Sequence, residues 1–422
     1  MSKPTKLVTA FAVIALVAGC SSSTKPTSAG GSGGGTTATT AGTSPVRSTV
    51  TVGILTDLTG LAASGNKTSV QGAEAAANTL AAQAGIHLKF VQGDTQSSPS
   101  GALSAAKQMV EQDNVSAVVA VSALTFGAAS YLTSKGIPVV GTAEDGPEWI
   151  TSKNMFSAFG FLDQTKIGTT YGALFKMLGV NTMGSLGYGI SPSSAEAAKN
   201  AAASSKAEGV KVGYLNANFP FGSTNVAPIA LAMKNNGVEG FVASVDPNTG
   251  FALVTALRQV GADLEVALLP TGYGGDLDQA GPGALTTGQG VYFYTSFEPV
   301  EMHTAATDRM QAAMRTVGVT SDPTYGEYAG YVSTALLVDA LKTLGANPST
   351  ADLVTALNGV KGFDGAGLFG HHSFDLSNRP ETARGVDGCI FVTKLEGKAF
   401  TLVPGADPIC GTPLPNVTLS DT

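Results

Sequence analysis

The sequence predicts an α/β protein made of two doubly wound lobes with parallel central sheets. Three observations point there. Short, uniformly apolar runs rich in valine and isoleucine alternate with alanine-rich helical stretches, and strands apolar on both faces belong in sheets covered by helices on both sides. The alternation pauses at the extended segment Asn154–Phe159 and then restarts, which divides it in two. Finally, 422 residues that are 43% hydrophobic and only 13% charged are too many for one small domain and ample for two cores.

Taken in order, Val50–Leu55 is the first strand, Thr56–Gly65 a turn-rich loop and Thr68–Ala84 a helix. Leu88–Val91 is the next strand. Ser98-Pro99 then supplies an N-cap and a first helical position ahead of Ala102, Leu103, Ala106, Met109 and Val110 on one helical face. Val115–Val121 is a strand, the loop Ser122–Phe126 leads into a helix, and Gly136-Ile137-Pro138 introduces the strand Val139–Gly141. The second series runs through helix Gln164–Leu178, strand Met183–Leu186, helix Ser194–Glu208, strand Val210–Leu215, helix Asn225–Asn236 and strand Gly240–Ser244. It continues with helix Phe251–Val260, strands Val266–Leu269 and Gly290–Tyr294, helices Thr304–Val317 and Tyr325–Leu344, and strands near Ile390–Leu395.

The first 48 residues follow other rules. Lys3 and Lys6 precede an apolar run from Leu7 to Ala18, the pattern of a secretory signal peptide and shorter than the roughly 20 residues a bilayer span needs. Leu16-Val17-Ala18-Gly19-Cys20 resembles the bacterial lipobox, which implies removal of residues 1–19 and acylation of Cys20; a plain secreted protein is the alternative. From Ser21 to Arg47 the chain is Ser, Thr, Gly and Ala, so residues 20–48 form a tether that buries little apolar surface.

Composition narrows the function classes. A formal charge of −7 with no basic block disfavours nucleic acid and electrostatic adhesion to anionic lipid. With Cys20 assigned to lipid, Cys389 and Cys410 remain, and in an oxidising compartment a pair that close in sequence is expected to be bridged. His371 and His372 with Asp375 make a poor metal site, because neighbouring residues on a strand point to opposite faces. Gly60-Leu61-Ala62-Ala63-Ser64-Gly65-Asn66-Lys67-Thr68 imitates a phosphate-binding loop, but Asn66 stands where glycine must precede the lysine. Beyond the tether the sequence holds no Gly-x-Ser-x-Gly elbow, it has no His-Glu-x-x-His pair, and no cofactor is expected.

Several short pieces, weak singly and specific in their order, complete the picture. They are Val52-Gly53-Ile54-Leu55 with Leu58-Thr59-Gly60 and Gly65, then Asp94, Asp113 to Val119, and Gly136-Ile137-Pro138-Val139-Val140. Tyr328-Ala329-Gly330-Tyr331, Gly365, Phe369 and Phe374-Asp375 follow. Over roughly Thr49–Val403 the chain resembles the type I periplasmic-binding-protein superfamily, in particular the branched-chain amino acid receptors of ABC importers. The resemblance implies two Rossmann-like lobes joined by a three-segment hinge, lobe 1 from 49–160 and 297–360, lobe 2 from 161–296 and 361–410, and a tail over 411–422. It also implies a monomeric, non-enzymatic receptor that takes a small solute between its lobes and passes it to a membrane permease.

For the site, the resemblance implies a first-lobe grip on a carboxylate by the loops Ser122-Ala123-Leu124-Thr125 and Thr142-Ala143-Glu144-Asp145. Tyr188, Asp246 and Tyr273 are implied from the second lobe, with Asp246 facing an ammonium group. Ser64 stands where a large aromatic often covers the ligand, and Glu144 and Asp145 replace small or hydroxyl residues, which leaves a neutral, cationic or bulkier ligand open. Plainer readings stand beside each: Ser122 and Asp145 as helix caps, Asp246 before Pro247 as a turn residue, Tyr188 and Tyr273 as surface aromatics. A sensor or cell-wall regulator on the same fold, and an extracellular enzyme, are the competing functions.

Overall fold

A computed structural model describes residues 46–143, 145–160, 163–377 and 388–422. The expectations for the signal peptide, Cys20, most of the tether and Glu144 lie outside the described residues.

The first series comprises β1 (Ser48–Thr56), α1 (Ala63–Asn66), α2 (Ser69–Ala76), β2 (Ile86–Asp94), α3 (Pro99–Glu111), β3 (Ala117–Val121), α4 (Phe126–Ser134), β4 (Val139–Gly141), α5 (Glu148–Thr151) and β5 (Met155–Ser157). Its strands form one parallel five-stranded sheet in the order β2-β1-β3-β4-β5. β3 is buried along its whole length, as a strand covered by helices on both faces must be.

The second series comprises α6 (Thr170–Met177), β6 (Thr182–Tyr188), α7 (Pro192–Ala207), β7 (Lys211–Phe219), α8 (Ala227–Asn235), β8 (Gly240–Ser244), α9 (Pro247–Gln259), β9 (Val266–Leu269), α10 (Gly275–Gln279), α11 (Ala284–Thr287) and β10 (Tyr292–Thr295). After a single 3₁₀ turn come α12 (Ala305–Arg315), α13 (Tyr325–Lys342), α14 (Thr350–Asn358), β11 (Cys389–Glu396), β12 (Ala399–Leu402) and β13 (Ile409–Cys410). The second sheet runs β12-β11-β10-β9-β8-β6-β7, with β13 paired to β11. It is parallel from β7 to β10, the parallel centre expected, and at its edge β11 joins β10 antiparallel and carries β12 and β13 antiparallel too.

α13 returns to the first sheet's side. Tyr328, Ala329, Val332, Leu336 and Leu337 on it are buried in the main core. Its crossing with α2 is set by glycine: a Cβ on Gly330 would lie 2.1 Å from the Ser69 carbonyl, and one on Gly72 2.0 Å from that of Glu327. At the other end of the chain the expected tail does not start free. Thr169 N donates to the Thr412 carbonyl (3.0 Å), Thr412 N donates back to Thr169 Oγ1 (2.9 Å), and Leu414 N donates to the Ile167 carbonyl (2.8 Å). Residues 163–166 form a turn closed by Lys166 N on the Asp163 carbonyl (2.9 Å) and Gly168 bridges to Pro413, so the helix expected from Gln164 begins only at Thr170.

Candidate functional site

The carboxyl ends of the two parallel sheets face each other across a cavity of about 430 Å³, the position where open α/β sheets leave loop amides and helix starts free to bind. Its first-lobe side includes Asn66, Ala123, Thr142 and Ala143; its second-lobe side includes Tyr188, Ser194, Ser244, Asp246 and Tyr294. Among the described residues the charged members of the lining are Asp163, Lys166 and Asp246, and Lys166 lies 4.0 Å from Asp163.

The sheet register builds the first-lobe side. Thr56 on β1 pairs with Asp94 on β2 and with Val121 on β3, so the next residues, Asp57, Thr95 and Ser122, emerge side by side. They meet at Asp57, which is 0% exposed. Its Oδ1 accepts from Thr95 Oγ1 and from Ser122 Oγ (2.8 Å), and its Oδ2 accepts from Asn66 Nδ2 (2.8 Å) and Ala123 N (3.1 Å). Burial raises the Asp57 pKa while these four donors act against the rise. Nothing in composition or periodicity marked this residue; the available signal was an acid placed directly after a fully buried strand. Beside it, Ala143 holds a left-handed backbone (φ 54°) in the cleft wall, a conformation that costs a non-glycine residue about 1 kcal/mol or more.

On the second-lobe side Asp246 is the N-cap of α9: its Oδ1 accepts from Thr249 N (3.1 Å), and Pro247 fills the first helical position. Its Oδ2 accepts from the Tyr188 hydroxyl and from Thr249 Oγ1 (2.9 Å). Burial, and after it the Asp246 carboxylate, pushes the Tyr188 phenol far above its ordinary pKa, so it stays a donor. The polar floor continues from there. Tyr188 N donates to Ser194 Oγ (2.8 Å), which donates to the Ser244 carbonyl (2.5 Å), and Ser244, Tyr294 and Tyr171 continue the lining. Tyr171 and Tyr294 meet edge to face, 5.7 Å between centroids. Gly388, Cys389 and Gly411–Pro413 wall the cleft beyond Tyr171, with Cys389 and Cys410 paired in register across β11 and β13 and joined by a disulfide. His372 Nε2 lies 3.4 Å from Cys389 Sγ.

Of the residues expected in the cleft, Ala143, Tyr188 and Asp246 line it. The others do not. Ser122 is buried beneath the lining on Asp57. Asp145 is 0% exposed and accepts from Phe126 N (2.6 Å) and Trp149 Nε1 (2.7 Å); burial, then the neighbouring Glu148, pushes its carboxyl well above the usual range. Tyr273 sits in the core, donating to Glu301 (2.5 Å) and accepting from Val300 N (3.0 Å). Ser64 lies at the rim, 3.5 Å from Asn248 Nδ2 of the opposite lobe. Ser122, Asp145 and Tyr273 lie in loops after strands, but the direction of each side chain is set by buried partners that the sequence does not order. The rims also touch elsewhere: Ser193 N donates to the Asp145 carbonyl (3.2 Å), and Leu61 packs on Gly222.

A family model described as periplasmic binding protein matches residues 49–399. The chain belongs to that family. Solved structures of similar fold include a leucine binding protein from Thermotoga maritima, 16% identical over 84% of this chain and 97% of the other, with a TM-score of 0.68. An ABC transporter solute binding protein from R. palustris in complex with 4-hydroxybenzoate is 18% identical over 84% of this chain and 96% of the other, TM-score 0.68. A branched-chain amino acid transporter substrate binding protein from Streptococcus pneumoniae, in complex with isoleucine, is 21% identical over 84% and 99%, TM-score 0.66. None of the curated proteins matches the sequence. As a periplasmic binding protein the chain is of the extracytoplasmic, solute-binding kind, and among its described residues no helix is long and apolar enough to cross a membrane.

Proposed function

We propose that this periplasmic binding protein is the capture subunit of an ABC importer. It is held outside the cell by acyl chains on Cys20 and takes a small polar solute, an amino acid or a related metabolite, between lobes 49–160 with 297–360 and 161–296 with 361–410. It works as a monomer, without a cofactor and without chemical change in the solute. The observation that carries this reading is the cavity between two sets of strand ends, lined by hydroxyls and amides and rimmed by contacts from both lobes. A solute stripped of water there needs a partner for every polar group, because each one left unpaired costs about 1–3 kcal/mol.

The test is a thermal-shift screen against a metabolite library. A true ligand at 100 times its dissociation constant adds about 2.7 kcal/mol to stability, and recovery of the compound unchanged excludes turnover. A library that stabilises nothing removes the reading. Anchoring is tested separately: Cys20→Ala should abolish acyl mass and membrane partition, and a variant still cut after Gly19 and still membrane-bound would refute the lipid anchor.

A further inference from the structure

Four hydrogen-bond donors converge at the head of the first lobe, one each from Asn66, Thr95, Ser122 and Ala123, and they converge on a carboxylate that belongs to the protein. Asn66 Nδ2 and Ala123 N can only donate, and the Thr95 and Ser122 hydroxyls, which already accept from Ser97 N (3.1 Å) and Leu124 N (3.0 Å), turn their protons to Asp57, an arrangement that matches its ionised, accept-only form. Two of these residues, Asn66 and Ala123, also line the cleft, and the donors they give to Asp57 are turned inward, which leaves the Thr142 hydroxyl on that wall. Among the described residues the lining has no arginine, Lys166 has Asp163 at 4.0 Å, and Asp246 adds a second acid. What the cleft does offer is the run of hydroxyls from Tyr188 through Ser194 and Ser244 to Tyr294 and Tyr171, beside aromatic faces at Phe159, Phe221 and Phe297.

We propose that the ligand is an uncharged, hydroxyl- or amide-bearing molecule with an apolar or planar face and no free carboxylate, and that Asp57 is the residue that rejects acids. This rests on the importer reading and narrows its solute from amino acids to related uncharged metabolites. An incoming carboxylate would find its donors taken and a like charge one residue behind them. A neutral carbonyl or hydroxyl needs no such concentration of donors, and stacks well on the aromatic walls.

The test is calorimetric titration at pH 7 of the wild type, Asp57→Ser and Asp57→Asn with two matched pairs, 4-hydroxybenzoate against 4-hydroxybenzamide and benzoate against benzamide. The wild type should bind each amide at least about tenfold more tightly than its acid, or bind neither acid, and the acids should gain about tenfold or more in Asp57→Ser. Asp57→Asn keeps the side chain's shape while withdrawing the charge, so it decides if the serine variant fails to fold. Wild-type protein that binds an acid as tightly as its amide overturns the proposal, and so does the absence of any gain in acid binding by a folded Asp57 variant. Either result leaves solute capture standing; that reading falls only to a library in which no compound stabilises the protein.

Discussion

Asp246 does two jobs with one carboxylate, capping α9 through Oδ1 and holding the Tyr188 hydroxyl through Oδ2. From sequence alone, replacing it should harm binding far more than folding; the geometry changes that balance. Loss of the cap costs about 1 kcal/mol and loss of the charged hydrogen bond a similar amount. Asp246→Ala is therefore expected to lose about 2 kcal/mol in denaturant unfolding, and Tyr188→Phe about half of that. Unchanged midpoints in both would mean that the pair contributes nothing to the fold. Asp276 gives a pH signature of its own. Buried at the start of α10, it accepts from Gly272 N and from Tyr325 N at the head of α13, and burial raises its pKa to about 8. The folded protein thus keeps a proton that the unfolded chain releases near pH 3.8. The contribution to stability is full below that value and is lost progressively as pH rises to about 8, at roughly 1.4 kcal/mol per unit at most. Melting temperatures of wild type and Asp276→Asn should diverge across that window and run parallel above it; parallel curves throughout would refute the assignment.

Among the elements, strands were more legible than helix starts. Apolar runs such as Val115–Val121 mark buried strands whatever surrounds them, whereas a helix start depends on a cap. The Ser98-Pro99 signature was read and opens α3, with Ser98 accepting from Gly101 N. The same chemistry opens α7 at Ser191-Pro192 and α9 at Asp246-Pro247, so that Pro192 and Pro247 begin the helices two and four residues earlier than the apolar periodicity suggested. α14, with its Ser349 capping box, went unread because its apolar face is short. The site showed the same limit: Tyr188 and Asp246 were picked out through the family resemblance at the ends of strands, while Asp57, although it too follows a strand, was not, because its role exists only once β1, β2 and β3 lie side by side. Close crossing of α2 and α13 is also invisible until they are paired, and it makes a sharp prediction. Gly330→Ala must push a methyl into the Ser69 carbonyl, at an expected cost of about 1–3 kcal/mol, measured by denaturant unfolding. A neutral outcome would show that the helices separate freely.

At the scale of the whole molecule, the rims of the cleft are held by few and long contacts, 3.5 Å between Asn248 and Ser64 and 3.2 Å between Ser193 and the Asp145 carbonyl. Such contacts are weak beside the burial inside each lobe, so parting the lobes should be easy and a bound solute should oppose it. Small-angle scattering is expected to show a smaller radius of gyration once a ligand from the screen is added. An unchanged radius would mean a rigid cleft that fills without closing.

One wall of that cleft has a further meaning. Gly411–Pro413 line it, held against Thr169 by a partner 243 residues away in the chain. A chain made from its N-terminus presents this wall long after the residues it packs against, and Cys410 reaches Cys389 only then. Until its last dozen or so residues arrive the pocket lacks a side, so every molecule of this protein starts life unable to hold a ligand and gains that ability in its final folding step.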